Sequence, residues 1–195
     1  MNKKYGILFF ALGLLLLLLA GFLFLQLREE DQTAGVQSRQ ILQKLRVLQQ
    51  TEAPTSPAIP TDPEKQSTLI LDGDAYLGIL SIPSLELELP VMDSWSYEKL
   101  KSAPCRQAGS IGGDGLVICA HNYSSHFGAL RTLEPGTLIL LTDAAGQKHS
   151  YILSHVATVS AEDTDAVLDS DFSLVLYTCT PGGRNRIAAY CIREN

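Results

Sequence analysis

Cys179 closes the apolar run 174–178 and is followed at once by Thr180, Pro181, Gly182 and Gly183. That pattern predicts a strand whose last side chain leaves the sheet for solvent. A thiol at such a place reaches a substrate, whereas a thiol inside a packed strand does not. His121 occupies an equivalent position, following the apolar run 116–120 and opening the polar stretch Asn122, Tyr123, Ser124 and Ser125. Arg186 begins the strand after Cys179, across a Gly-Gly turn tight enough to lay the two strands side by side. A free thiol ionises at about 8.5, and a neighbouring imidazole or guanidinium draws it toward the thiolate. Imidazole also protonates a leaving amine, and a guanidinium holds a developing oxyanion. Cys179, His121 and Arg186 are therefore a sufficient set for acyl transfer through a thiol.

The remaining candidates carry less. In a domain outside a membrane, the four cysteines (105, 119, 179 and 191) favour disulfides, yet their spacing gives no compact framework. Cys119 and Cys191 lie in apolar runs, as buried thiols do. Zinc held by Cys119 and His121 is a rival reading, without the C-x-x-C or H-x-x-x-H pair that would support it. His126 reads as a residue of a polar loop, with modulation of the site as the less favoured alternative; His149 and His155 read as surface or strand residues. Glu162, Asp163, Asp165, Asp169 and Asp171 crowd one loop. They lack the glycine and fixed spacing of a calcium loop and read as a solvated acidic segment. Trp95 and Tyr97 are expected to pack, and no cofactor is called for.

The elements that must hold these residues are short strands. Apolar runs at 76–82, 116–120, 137–141, 151–159, 174–179 and 187–192, with strict alternation at 85–89, are separated by Gly, Pro and Asp turn signals. Only 94–101 reads as a brief helix. Seven or eight strands in about 120 residues predict a closed β-barrel, antiparallel or mixed, large enough for a sound core without disulfides.

The first third of the 195 residues is of another kind. Residues 5–25 form one uncharged apolar run containing ten leucines. As a helix this run spans roughly 30 Å, the thickness of a bilayer core. It exceeds the usual core of a cleaved signal and has no A-x-A site after it, so it reads as an uncleaved anchor. Lys3 and Lys4 precede it, while Glu29, Glu30 and Asp31 follow Arg28. That asymmetry puts the N-terminus in the cytoplasm and the bulk of the chain outside. Ile41, Leu42, Leu45 and Leu48 recur at helical spacing within 28–50, a stalk helix able to pack on the membrane or on the barrel. Residues 51–67 hold four prolines and read as an extended spacer. The expected division is 1–27 cytoplasmic stub and anchor, 28–71 stalk and linker, and 72–195 barrel. Residues 1–71 carry a net charge of +1 and residues 72–195 a net −7. An acidic globular part excludes nucleic acid as a partner.

From residue 77 onward the chain resembles a sortase, the membrane-anchored cysteine transpeptidase of Gram-positive bacteria. The likeness rests on LGILSIPSLELELPV at 77–91, LVICAHNYSSHFGALRTLEPG at 116–136 and LYTCTPGGRNRIAAYC at 176–191. These keep the family's order of His, Cys and Arg. The T-L-x-T-C signature appears as Val175 to Cys179 with Val in place of the first Thr, and the G-H pair as Ala120-His121. The resemblance implies Cys179 as nucleophile, His121 as general acid/base and Arg186 as oxyanion or substrate clamp. Arg186 is preferred to Arg184 because it directly precedes the last apolar run, as the family's arginine does. Thr178 and Asn122 are implied as substrate contacts, with packing an equal reading for Thr178. The implied reaction cleaves an LPXTG-like sorting signal and passes the protein to an amine of a cell-wall precursor or a pilin lysine. Some sortases bind calcium. Without a C-terminal membrane helix or a long helical insertion, the housekeeping and class D members fit better than the pilin-polymerising ones. The alternative from another class is a non-catalytic, membrane-anchored extracytoplasmic β-barrel that binds a partner.

Overall fold

The computed structural model of the protein describes residues 3–51, 67–113, 115–163 and 165–194. Apart from its two end positions, the proline-rich spacer at 51–67 lies outside the described residues. The N-terminal third is one helix, α1 (Lys3–Thr51), about 70 Å long at the usual helical rise. The large apolar side chains of 5–25 are exposed on it, and it is long and apolar enough to cross a membrane. The sequence suggested an anchor followed by a separate stalk helix; the structure joins them, since no Pro interrupts 22–51 and the single glycine there, Gly35, is an isolated one that a helix tolerates.

Eight strands close a barrel: β2 (Asp74–Ile82), β3 (Leu87–Met92), β4 (Cys105–Ala108), β5 (Leu116–Cys119), β6 (Leu138–Asp143), β7 (Lys148–Ser160), β8 (Leu174–Cys179) and β9 (Asn185–Arg193). Their order is β2-β3-β4-β5-β8-β9-β7-β6 and back to β2. Pairs β3–β4 and β5–β8 are parallel, so the barrel is mixed. At the closing seam a Cβ on Gly78 would lie 2.0 Å from the Thr142 carbonyl oxygen, and only glycine lets β2 approach β6 there. A ninth strand, β1 (Leu69–Leu71), adds to β2 ahead of that seam.

Inward-facing Leu77, Leu116, Ile118, Phe127, Ile139, Leu141, Tyr151, Leu174 and Leu176 fill the barrel. Strands β5 and β8 are also covered outside. Val117, Val175, Ala188 and Tyr190 pack with Val167 of the one-turn helix α3 (Asp165–Leu168). Leu45 of α1 packs with Leu69, Tyr76, Met92 and Cys105, joined by Leu100 of the short helix α2 (Tyr97–Leu100). Sheets covered on both faces read as continuous apolar runs, which is how 174–176 looks in the sequence.

Two expectations change and one open question closes. The alternating 85–89 is not one strand: Pro83–Leu85 form a 3-10 turn, and Glu86 adopts a left-handed conformation (φ 51°) before β3 begins. Trp95 and Tyr97 are 42% and 74% exposed and pair edge to face at 5.5 Å instead of entering the core. The cysteine question, left open by the sequence, is the third to be decided: all four are free thiols, and Cys119 and Cys191 are buried as their apolar runs suggested, together with Cys105.

Candidate active site

The register of β5, β8 and β9 sets the site. Cys179, the last residue of β8, pairs directly with Arg186 on antiparallel β9. On the other side, parallel β5 pairs Cys119 with Tyr177. The Ala120 N–H then donates to the Tyr177 carbonyl (3.1 Å). Two residues farther along both strands, His121 comes level with Cys179. Side chains alternate along a strand, so Tyr177, Cys179, Arg186, Cys119 and His121 share the outer face. Cys179, His121 and Arg186 are each half-buried. The three sequence candidates therefore converge on the top of one three-stranded patch, with the thiol in the middle.

Thr178 does not join them. It is 3% exposed, turned to the barrel interior, and its hydroxyl donates to the Ala120 carbonyl at 2.8 Å. It ties the ends of β5 and β8 together and presents no hydroxyl to a substrate, which corrects the contact expected of it. Asn122 is exposed beside His121, and Arg184 is exposed on the turn before β9. Arg186 Nη1 donates to the carbonyls of Gly183 (3.0 Å) and Asn185 (3.2 Å). That anchors the guanidinium at the turn with other N–H donors left over.

Neither the Cys179 sulfur nor the His121 ring hydrogen-bonds another described residue, leaving both for a reacting group. Burial holds the His121 imidazole below its ordinary 6.5, with the Glu30 carboxylate opposing and the Lys101 ammonium adding to the shift. The ring is thus a neutral base near pH 7. On the same face as Cys179, the Tyr177 hydroxyl donates to Gln107 Oε1 (3.3 Å), and the Cys119 thiol contacts the same oxygen (3.5 Å).

Two spaces border the candidate residues, one lined by Arg186 and the other by His121. Beside Arg186 and Tyr177 is a small groove of about 110 Å3, bordered by Gln107, Ser160, Asp163 and Leu168. Beside His121 and Tyr123 is a cavity of about 700 Å3, whose far wall is α1 with Glu29, Glu30, Thr33 and Gln37. Packing of the 28–50 helix on the barrel was one of its two expected roles; that it borders this cavity is new.

His126 was read as a residue of a polar loop; the structure buries it fully. Its Nε2 lies 3.0 Å from the Ser38 hydroxyl of α1, and burial pushes its pKa down to about 4. His149 bonds Asp143 at 2.9 Å, and His155 stacks on Tyr190, both away from the site. Among the described residues, no group of three or more His, Cys, Asp or Glu side chains is arranged to hold a metal ion.

The Sortase domain family model matches residues 80–194, a segment that contains every candidate above except the α1 residues. Sortase A of Bacillus anthracis is 30% identical over 115 residues, which are 56% of this chain and 54% of that protein. The chain thus matches about half the length of this curated relative. Among solved structures, sortase C1 of Streptococcus agalactiae superposes with a TM-score of 0.58 at 22% identity, covering 67% of this chain and 73% of the other. Sortase A of Listeria monocytogenes gives a TM-score of 0.58 at 20% identity, covering 63% and 89%. These structural likenesses bear on the fold.

Proposed function

This chain belongs to the sortase family, and we propose on that footing that it is a cysteine transpeptidase acting on LPXTG-like sorting signals. The observation that carries the reading is the placement of Cys179 between His121 and Arg186 on adjacent strands. In the first half-reaction the neutral His121 imidazole takes the thiol proton as sulfur attacks the Thr–Gly carbonyl carbon. Arg186 stabilises the oxyanion. The intermediate collapses, His121 returns the proton to the departing glycine amine, and a thioester to Cys179 remains. In the second half an amine attacks that thioester, His121 takes its proton, and the Cys179 thiolate leaves. The amine belongs to a cell-wall precursor or a pilin lysine. We assign part of the sorting peptide to the groove beside Arg186 and the incoming amine to the cavity beside His121, with exposed Asn122, next to His121, as a further substrate contact. Every step uses side chains of this chain, with no cofactor.

We further propose that the N-terminus is cytoplasmic and the barrel extracellular, supported by Lys3 and Lys4 before the apolar span and the acidic residues after it. Protease added to intact cells should then digest the barrel while sparing the N-terminus. The reaction is tested by incubating the protein with quenched sorting-signal peptides beside a Cys179→Ala control. Cleavage by the wild type alone, and ligated product when an amine is supplied, is the expected result. Cleavage by both proteins, or by neither, overturns the reading.

A further inference from the structure

The half of α1 beyond the apolar span lies on the loop that carries His121. Asp31 accepts four hydrogen bonds from that loop. The backbone N–H and hydroxyl of Ser124 reach Oδ2 (3.0 and 2.5 Å), and those of Ser125 reach Oδ1 (3.1 and 2.7 Å). One turn on, Gly35 is buried against Ser125, where a Cβ would lie 2.9 Å from the serine Cβ. Another turn on, the Ser38 hydroxyl donates to the Ser102 carbonyl at 2.5 Å, so it accepts from His126 Nε2. The loop passes this hold to its first residue. The Phe127 N–H donates to the His121 carbonyl (3.2 Å), and Phe127 itself is fixed in the barrel core. The rings of His121, Tyr123 and His126 follow one another at 4.9 and 5.6 Å.

We propose that α1 is a positioning element of the active site and Asp31 its positioning residue, holding the 121–128 loop so that the His121 imidazole stays level with Cys179. The proposal rests on the reading of His121 as acid/base. Asp31 touches no substrate; it supplies acceptors to Ser124 and Ser125 amides that lie beyond the end of β5 and have no strand partner there. Without it those amides turn to water, and the loop is free to swing His121 away from the sulfur. Misplacing a catalytic group by about 1 Å costs on the order of a hundredfold in rate.

The test compares full-length wild type, Asp31→Ala and Asp31→Asn in detergent micelles. Amide hydrogen exchange at Ser124 and Ser125 should speed up in Asp31→Ala while β8 and β9 stay protected. The His121 titration, followed by NMR, should rise toward 6.5 as its burial is relieved. For peptide cleavage, kcat should fall about tenfold to a hundredfold with KM within about twofold, and Asp31→Asn, which retains one acceptor oxygen, should lie between. Unchanged exchange overturns the docking. Faster exchange with unchanged kcat and unchanged His121 titration overturns the positioning. Should the wild type cleave no peptide, the transpeptidase reading falls, while the exchange and titration results still decide whether Asp31 holds His121.

Discussion

Cys179 differs from the other three thiols in where its strand ends. Burial pushes Cys105 and Cys191 up to about 12 and Cys119 up to about 11, leaving almost no thiolate on them at neutral pH. Iodoacetamide at pH 7.5 should therefore carboxamidomethylate Cys179 alone, as read by peptide mass mapping, and Cys179→Ser should leave the folded protein unlabelled. The His121 imidazole, held below 6.5 chiefly by burial, must be neutral to accept the thiol proton. Activity should accordingly persist as pH falls through 6.5 and fail only below it, so the acid limb of kcat/KM lies beneath the free-histidine value. Cys179, His121 and Arg186 were legible in the sequence because each stands where an apolar run meets a polar loop. The direction of Thr178 was not. Residues 174–176 are apolar on both faces of the sheet, so alternation carries no phase, and only pairing with β5 shows that the hydroxyl turns inward.

Among the elements, α1 departs most from the sequence reading. The hydrophobic period at Ile41, Leu42 and Leu45 was visible, but the same face continues toward the apolar span through Ser38, Gly35, Ala34 and Asp31. Small and polar residues leave no apolar signature, and their partners lie some ninety residues away in sequence. The close approach at Gly35 makes a sharp test. Gly35→Val should drive α1 off Ser125, costing roughly 1–3 kcal/mol of the docked state despite better helix propensity, measured by denaturant melts and by exchange at Ser124. At the other end Leu45, fully buried under β1 and β3, should cost about 2–5 kcal/mol on replacement by alanine. Strand β4 escaped sequence reading because Arg106 and Gln107 interrupt it, and the alternation at 85–89 misled because one left-handed glutamate resets the phase.

Across the whole molecule, the anchor and the barrel were both evident in composition, but their relation was not. The sequence reading had 51–67 as an extended spacer and left the stalk helix to pack on either the membrane or the barrel. Contacts run the length of the docked half of α1, from Asp31 through Lys44–Asp72 (2.7 Å) and Arg46–Glu88 to Gln49, whose amide donates to the Asp143 carbonyl (2.9 Å). This junction should weaken in acid. His126, enclosed between α1 and the barrel near Asp31 and His121, has its pKa lowered to about 4, mainly by burial. The unfolded chain binds that proton first, so the contribution is complete above pH 6.5 and lost as pH falls from 6.5 toward 4. At 1.36 kcal/mol per unit it is at most about 3 kcal/mol. Thermal melts of the full chain should show the wild type losing stability over this window faster than His126→Gln.

Placed across a bilayer, the unbroken α1 would act as a ruler between lipid and barrel. With residues 5–25 in a bilayer, Asp31 stands about 9 Å farther along the axis, at 1.5 Å per residue, and the groove acquires a set altitude above the headgroups. Donor and acceptor that are themselves rooted in lipid would then meet the sulfur by lateral diffusion in one thin layer. Lengthening the rod by seven helical residues after Leu27 would raise the groove by about 10 Å with nearly the same azimuth. Turnover of lipid-embedded donors should drop, while a soluble peptide should still be cleaved at its former rate.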